Sequence, residues 1–156
     1  MNKAPLSVVI HFPVERHVYK YLQYHVGEKL VVRKKNYFGS IALDMFSVKD
    51  RAYKELNNSL SYPVEFSEDF LKRYSIYEGK ICNNKFNNLI DQMFRQELMS
   101  YIRISVYPKN GSKEGALKDF LFHYNICDED INYESLLKYI NRNAKKQHWK
   151  QLPYRI

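Results

Sequence analysis

From Phe86 to Ile102 the apolar residues fall at Phe86, Leu89, Ile90, Met93, Phe94, Leu98, Tyr101 and Ile102. Steps of three and four keep them on one side of an α-helix. A long helix with one apolar stripe must bury that stripe against other elements. The chain is therefore expected to fold around this helix, with Asn83 or Asn84 as its N-cap. Its far end is open in the sequence, because Ile102, Ile104 and Val106 also fit a strand ahead of Pro108.

The residues before this helix read as mixed α/β. Leu6, Val8, Ile10 and Phe12 alternate with Ser7, Val9 and His11, a strand pattern that Pro13 is expected to end. Val14, Val18, Tyr21 and Leu22 then follow helical spacing, and Gly27 is placed to close that helix. Leu30–Val32 reads as a short strand. Over Tyr37–Ser47 a helix capped by Asn36 is favoured over a strand, although Ile41, Leu43 and Met45 also alternate. Asp50–Leu60 reads as a short polar helix. Tyr62, Val64 and Phe66 form a strand, with Pro63 tolerable near its start or at a sheet edge. Ser67-Glu68-Asp69 opens a helix of a turn or two, and Tyr74–Tyr77 reads as a further strand.

After the long helix, Asn110-Gly111-Ser112 is a turn. Ala116, Leu117, Phe120, Leu121 and Tyr124 mark a helix. Asn125 suits the left-handed position past its end, and Ile126 suits the closing contact. Asp128-Glu129-Asp130 is expected to start the last helix, leaving a very short turn before Tyr133, Leu136, Leu137 and Ile140. The tail beyond Trp149 is expected to be extended. The fold class is α+β, a small N-terminal α/β part followed by a mainly helical C-terminal part with a helix-turn-helix-like hairpin. A soft boundary near residue 80 separates subdomains 1–79 and 80–156, which could also form one continuous domain.

Several function classes drop out. Five glycines spread over 156 residues build no phosphate-binding loop. Cys-x-x-Cys and His-Glu-x-x-His are absent, so no cofactor or metal is expected. His123 and Cys127 are four residues apart, but Asn125 should break the helix between them, leaving a boundary histidine and a buried thiol. His17 and His25 read as surface or boundary residues with no catalytic carboxylate beside them. Two cysteines fit a reducing cytoplasm, no apolar run approaches a membrane span, and no secretion signal is visible, so a cytoplasmic protein without a membrane partner is expected.

The positive evidence is charge. Lys and Arg number 25 against 17 Asp and Glu, a net charge of +8. Lys138, Arg142, Lys145, Lys146, Lys150 and Arg155 follow one another without an intervening acid, and Arg33-Lys34-Lys35 forms a second basic stretch. Such clusters attract phosphate by Coulomb steering and counterion release, although bases at a helix end also match the helix dipole. On the last helix the residues away from the apolar stripe are Asn132, Ser135, Lys138, Tyr139, Arg142 and Lys145. In a helix-turn-helix the second helix offers such a face to the DNA major groove, where Asn, Arg and Lys suit base edges and phosphates. Tyr19, Tyr21 and Tyr24, beside His17 and Lys20, are the other residues that could stack on bases, against a half-buried packing role.

Lys85-Phe86-Asn87 opening a long helix, Phe120-Leu121 with Tyr124-Asn125-Ile126, and Leu137-Lys138-Tyr139 with Arg142 together resemble helix-turn-helix proteins of bacterial phages and integrative elements, over residues 80–146. That resemblance implies DNA binding on a mobile genetic element. The expectation is a non-enzymatic accessory or regulatory DNA-binding protein, using Asn132, Ser135, Lys138, Tyr139, Arg142, Lys145, Lys146 and Arg33, Lys34, Lys35. The alternatives are a protein-interaction or assembly module, with a protein partner or a homodimer, and a nuclease-like enzyme.

Overall fold

The computed structural model describes residues 6–33, 36–44, 56, 59–73, 83–107 and 111–146. The fold is α+β. Strands β1 (Ser7–Val14), β2 (Leu30–Val31) and β3 (Leu60–Ser67) alternate with helices α1 (Arg16–Val26), α2 (Tyr37–Asp44) and α3 (Glu68–Arg73). Three further helices follow: α4 (Asn83–Val106), α5 (Lys113–His123) and α6 (Tyr133–Lys146). Two compact units result, Met1–Asp91 and Gln92–Ile156, and α4 supplies residues to each. The boundary expected near residue 80 falls outside the described residues, as do most of the polar helix over 50–60 and the strand over 74–77. No helix among the described residues is long and apolar enough to cross a membrane.

In the first unit the sheet order is β1-β3-β2. β1 runs antiparallel to β3 and β2 runs parallel to it. The register places Phe12 opposite Tyr62, Ile10 opposite Val64 and Val8 opposite Phe66, so the period-two apolar sets of both strands share one face. Phe12, Val14, Tyr62, Val64 and Phe66 are all removed from solvent. Val18, Tyr21 and Leu22 of α1 and Phe86 and Ile90 of α4 are buried in the same unit. The Phe86 ring sits 5.2 Å from that of Phe12.

Pro13, expected to end its strand, lies inside it, and Pro63, expected near the start of its strand or at a sheet edge, lies in the central strand. Pro13 pairs with Ser61 within β1, on the outer strand of the sheet, where an N–H turned outward has no partner to lose. Pro63 pairs with His11 in the central strand, but β2 is too short to reach it: the parallel pairing starts at Val64. Among the described residues, Pro63 thus faces a strand neighbour on one side only.

Two glycines hold positions no other residue fits easily. Gly27 ends α1 at φ +96°, with its N–H bonded to the Gln23 carbonyl. Its own carbonyl accepts the Tyr62 hydroxyl at 2.7 Å, tying the end of α1 to the central strand. Burial, followed by the negative charge potential of Tyr19 and Glu28, pushes that phenol far above its ordinary pKa. Gly39 lies within α2, where a Cβ would stand 2.9 Å from the Arg33 carbonyl oxygen and 3.0 Å from its nitrogen. α2 begins as expected, with Asn36 Oδ1 accepting the Phe38 N–H at 3.1 Å.

In the second unit, α4 stays helical to Val106, so its far end is not a strand. Phe94, Leu98, Met99 and Ile102 form its buried stripe. On the other helices Ala116, Leu117, Phe120, Leu121, Leu136, Ile140 and Ala144 are buried. The Phe120 ring lies 5.5 Å from Phe94, 5.6 Å from Tyr101 and 5.0 Å from Tyr124. Ser112 caps α5, its hydroxyl accepting the Gly115 N–H. The other end closes as a Schellman motif: Asn125 adopts φ +53°, its N–H reaches the Phe122 carbonyl, and the Ile126 N–H reaches Leu121.

Two substitutions test this packing. Phe120→Ala is expected to cost about 3–5 kcal/mol in chemical denaturation, while Phe122→Ala, two residues along on the exposed face, stays near wild type. Gly39→Ala should reverse the usual sign of a helical Gly→Ala change, which normally gains about 0.5–1 kcal/mol. Here the new methyl meets fixed backbone, so a lower melting temperature is expected.

Candidate functional site

The basic residues of α6 occupy one side of that helix. Leu136, Ile140 and Ala144 are buried, with Tyr133 and Leu137 half-buried beside them. On the opposite side Ser135, Lys138, Arg142, Lys145 and Lys146 are exposed. Lys138, Arg142 and Lys146 follow at intervals of four, a single row along the helix. Among the described residues none of the four cations forms an ion pair with an acidic side chain. The only acid in α6 is Glu134, in its first turn.

Two of the expected contact residues have other duties. Asn132 is the N-cap of α6: its Oδ1 accepts the Ser135 N–H at 2.8 Å. Tyr139 is half-buried, with the Arg95 guanidinium 5.0 Å from its ring centre. Arg33 is exposed in the first unit, and its carbonyl accepts the Asn36 N–H. Lys34 and Lys35 lie outside the described residues.

The start of α6 differs from expectation. Asp128, Glu129 and Asp130 do not open the helix; they form a turn ahead of it. The Asp130 carboxylate accepts the Cys127 N–H at 2.9 Å and lies 3.1 Å from its thiol sulfur. Asp130 and Ile131 donate their N–H groups back to the Cys127 carbonyl. An aspartate that satisfies the turn's own backbone is as well suited to a loop as to a helix start, and Asn132 takes the cap. The connection from Tyr124 to Asn132 is longer than the three or four residues of a tight helix-turn-helix turn. Cys127, expected to be buried, is exposed.

The tyrosines of α1 divide. Tyr21 is buried, Tyr19 packs edge-on against Tyr62 at 5.6 Å, and Tyr24 is exposed beside His25. An apolar hollow of about 640 Å³ opens in the second unit between α4 and α5, lined by Tyr101, Ile104, Phe120, Phe122 and Tyr124. Phe122 is 87% exposed at its edge.

A second polar constellation went unseen in the sequence. His17, read there as a surface or boundary residue, is buried in the second position of α1. Its Nε2 lies 2.7 Å from Asp91 Oδ1 and 3.9 Å from Glu15 Oε2. Buried Asn87 accepts the Glu15 N–H on its Oδ1 at 2.8 Å and donates from Nδ2 to Glu15 Oε2 at 3.2 Å. Glu15 follows the last residue of β1 and is the N-cap position of α1, while Asn87 and Asp91 are one turn apart on α4. The available signal was the polar pair Asn87 and Asp91 flanking buried Ile90 on an otherwise apolar helix side. What that pair faces depends on contacts more than seventy residues apart in sequence. Asn84, which could have capped α4, does not: its Oδ1 is buried with no hydrogen-bond partner among the described residues.

Asn87→Ala leaves the Glu15 N–H and carboxylate without their partner, so a loss of about 1–3 kcal/mol is expected in urea unfolding. No protein-family model matches the chain, and no curated protein or solved structure matches it either.

Proposed function

We propose that the protein binds duplex DNA through the outward side of α6, as a non-enzymatic accessory or regulatory factor. The observation that carries this reading is the row Lys138, Arg142 and Lys146 with Lys145 beside it, exposed and opposite the buried Leu136, Ile140 and Ala144. A helix whose apolar side is consumed by packing keeps its other side available, and here that side is cationic. Ser135, Lys138 and Arg142 supply the polar groups for base edges; Lys145 and Lys146 suit phosphates. The net charge of +8 adds long-range attraction for a polyanion. The acids of the preceding turn precede the helix rather than forming its first turn, which leaves Glu134 as the one carboxylate on α6.

A second reading, a protein-interaction module, is favoured by Phe122 and Ile104, both largely exposed at one apolar hollow. Concentration-dependent association that Phe122→Asp abolishes, in a protein that DNA does not retain, would select it.

Anisotropy titration of labelled duplex DNA at about 50 and 200 mM salt tests the first reading, with affinity expected to fall roughly a hundredfold if four phosphates are neutralised. The Lys138→Ala/Arg142→Ala pair should lose roughly 1–3 kcal/mol of binding and flatten the salt slope, with stability nearly unchanged. Lys34→Ala/Lys35→Ala removes the same charge elsewhere. Equal loss in both pairs reduces the effect to net charge, and no retention at low salt sinks the DNA reading.

A further inference from the structure

We propose that Glu15, His17 and Asp91 form a binding site for a divalent transition-metal ion of the Zn²⁺ type. The site lies wholly in the first unit and is independent of the DNA reading. Its three donor atoms, Glu15 Oε2, His17 Nε2 and Asp91 Oδ1, all lie within 4.8 Å of one another. Tetrahedral coordination at Zn–N and Zn–O distances of about 2.0–2.2 Å places ligand atoms roughly 3.3 Å apart. The separations from His17 Nε2, 2.7 Å to Asp91 and 3.9 Å to Glu15, bracket that spacing. A small rotation of two carboxylates brings both to it.

The chemistry of the donors agrees with the geometry. One imidazole and two carboxylates suit Zn²⁺ and its first-row neighbours, whereas Mg²⁺ and Ca²⁺ prefer oxygen alone. Two carboxylates and one divalent cation leave no net charge beside the core. Glu15 is also held from behind: Asn87 donates to its Oε2 and accepts its backbone N–H. Such outer hydrogen bonds fix the direction of a metal-binding carboxylate. Asn84, Asn87 and Asp91 make one side of α4 polar over two turns, and Asn84 brings a buried acceptor that no described group satisfies.

Access is built in on one side. His17 is 3% exposed, Asp91 21% and Glu15 42%, so an ion enters past Glu15 and keeps a coordination position toward solvent. Three protein ligands with an open fourth position is the arrangement of reactive zinc sites, while purely structural ones close with four.

The test is titration of chelator-treated full-length protein with Co²⁺, whose four-coordinate complexes absorb in the visible. One equivalent is expected to bind, to be displaced by Zn²⁺, and to raise the melting temperature. Loss of outer hydrogen bonds alone weakens metal sites by about 10–100-fold, so His17→Gln should weaken Co²⁺ binding by about 100-fold or more. Glu15→Gln is the second variant, because its partly exposed side chain keeps its shape and its bond from Asn87. It should retain the wild-type circular dichroism spectrum and lose the melting-temperature rise with Zn²⁺. Absence of stoichiometric binding in the wild type overturns the proposal. So does wild-type affinity in Glu15→Gln, which would place the ion elsewhere.

Discussion

Phe86 and Ile90 are buried in the first unit, and Phe94, Leu98 and Ile102 in the second, all on one unbroken helix. The apolar stripe of α4 is thus divided between two cores. Each of these side chains contributes roughly 1.5–3 kcal/mol on leaving water, so neither core is complete without its share of α4. The three-stranded sheet is too small to stabilise itself by backbone pairing; its inner face needs α1 and the first turns of α4. The α5–α6 pair likewise rests its Phe120 on Phe94 and Tyr101 of the same helix. A polar substitution anywhere along the stripe would therefore unsettle a core rather than a surface.

Where the sequence was legible, local chemistry and burial pointed the same way. Tyr62, Val64 and Phe66 alternate because β3 has one buried face, and the same alternation sets its register with β1. Gly27 and Asn125 were readable because each takes a left-handed conformation that few residues tolerate. Where local rules competed, the sequence misled. Three consecutive acids resemble a helix start, yet Asn132 was the better cap and the acids satisfied a turn instead. Pro13 resembles a strand breaker, but a proline lacks only the ladder N–H, so what matters is whether a strand faces that side, and that is a property of sheet order. The basic row on α6 was legible for a simple reason: its apolar partners fix the helix phase, and the phase fixes the outward side. Asn132 and Tyr139 lay close to that side by phase alone, but capping and ring stacking engage them.

His17 shows where sequence reading stops. A histidine one residue inside a helix start carries no sign of burial, because burial depends on what arrives from elsewhere in the chain. Asp91 and Asn87 arrive from α4. Among the described residues, His17 and Asn87 are the buried polar side chains. Removing an imidazole and an amide from water costs about 1–3 kcal/mol each unless their polar atoms are re-paired. Here they pair with each other's neighbours, so the cluster is close to neutral for stability but demanding in geometry. An apolar set of similar volume would hold α4 against α1 as well. Four polar groups there act more as a constraint on geometry than as a source of net stability.

The cationic side of α6 follows a different logic. Lys138 and Arg142, and Arg142 and Lys146, are like charges four residues apart, each pair costing the helix a few tenths of a kcal/mol. The last-turn lysines recover a similar amount from the helix dipole, which favours positive charge at that end. Lys138 lies too far from the C-terminus to share in this, since the dipole effect fades within one turn. Dipole matching therefore accounts for Lys145 and Lys146 but not for Lys138 or Arg142. The buried side of α6 needs only Leu136, Ile140 and Ala144, and an acid at 142 would relieve the repulsion on both sides without disturbing them. Lys138 stands four residues after Glu134, the favourable order for a helical pair, so within α6 it is Arg142 whose charge neither the dipole nor an acid one turn before it supports. Under the proposal that α6 binds duplex DNA, a row of phosphates would supply the opposite charge and offset the internal repulsion of the helix.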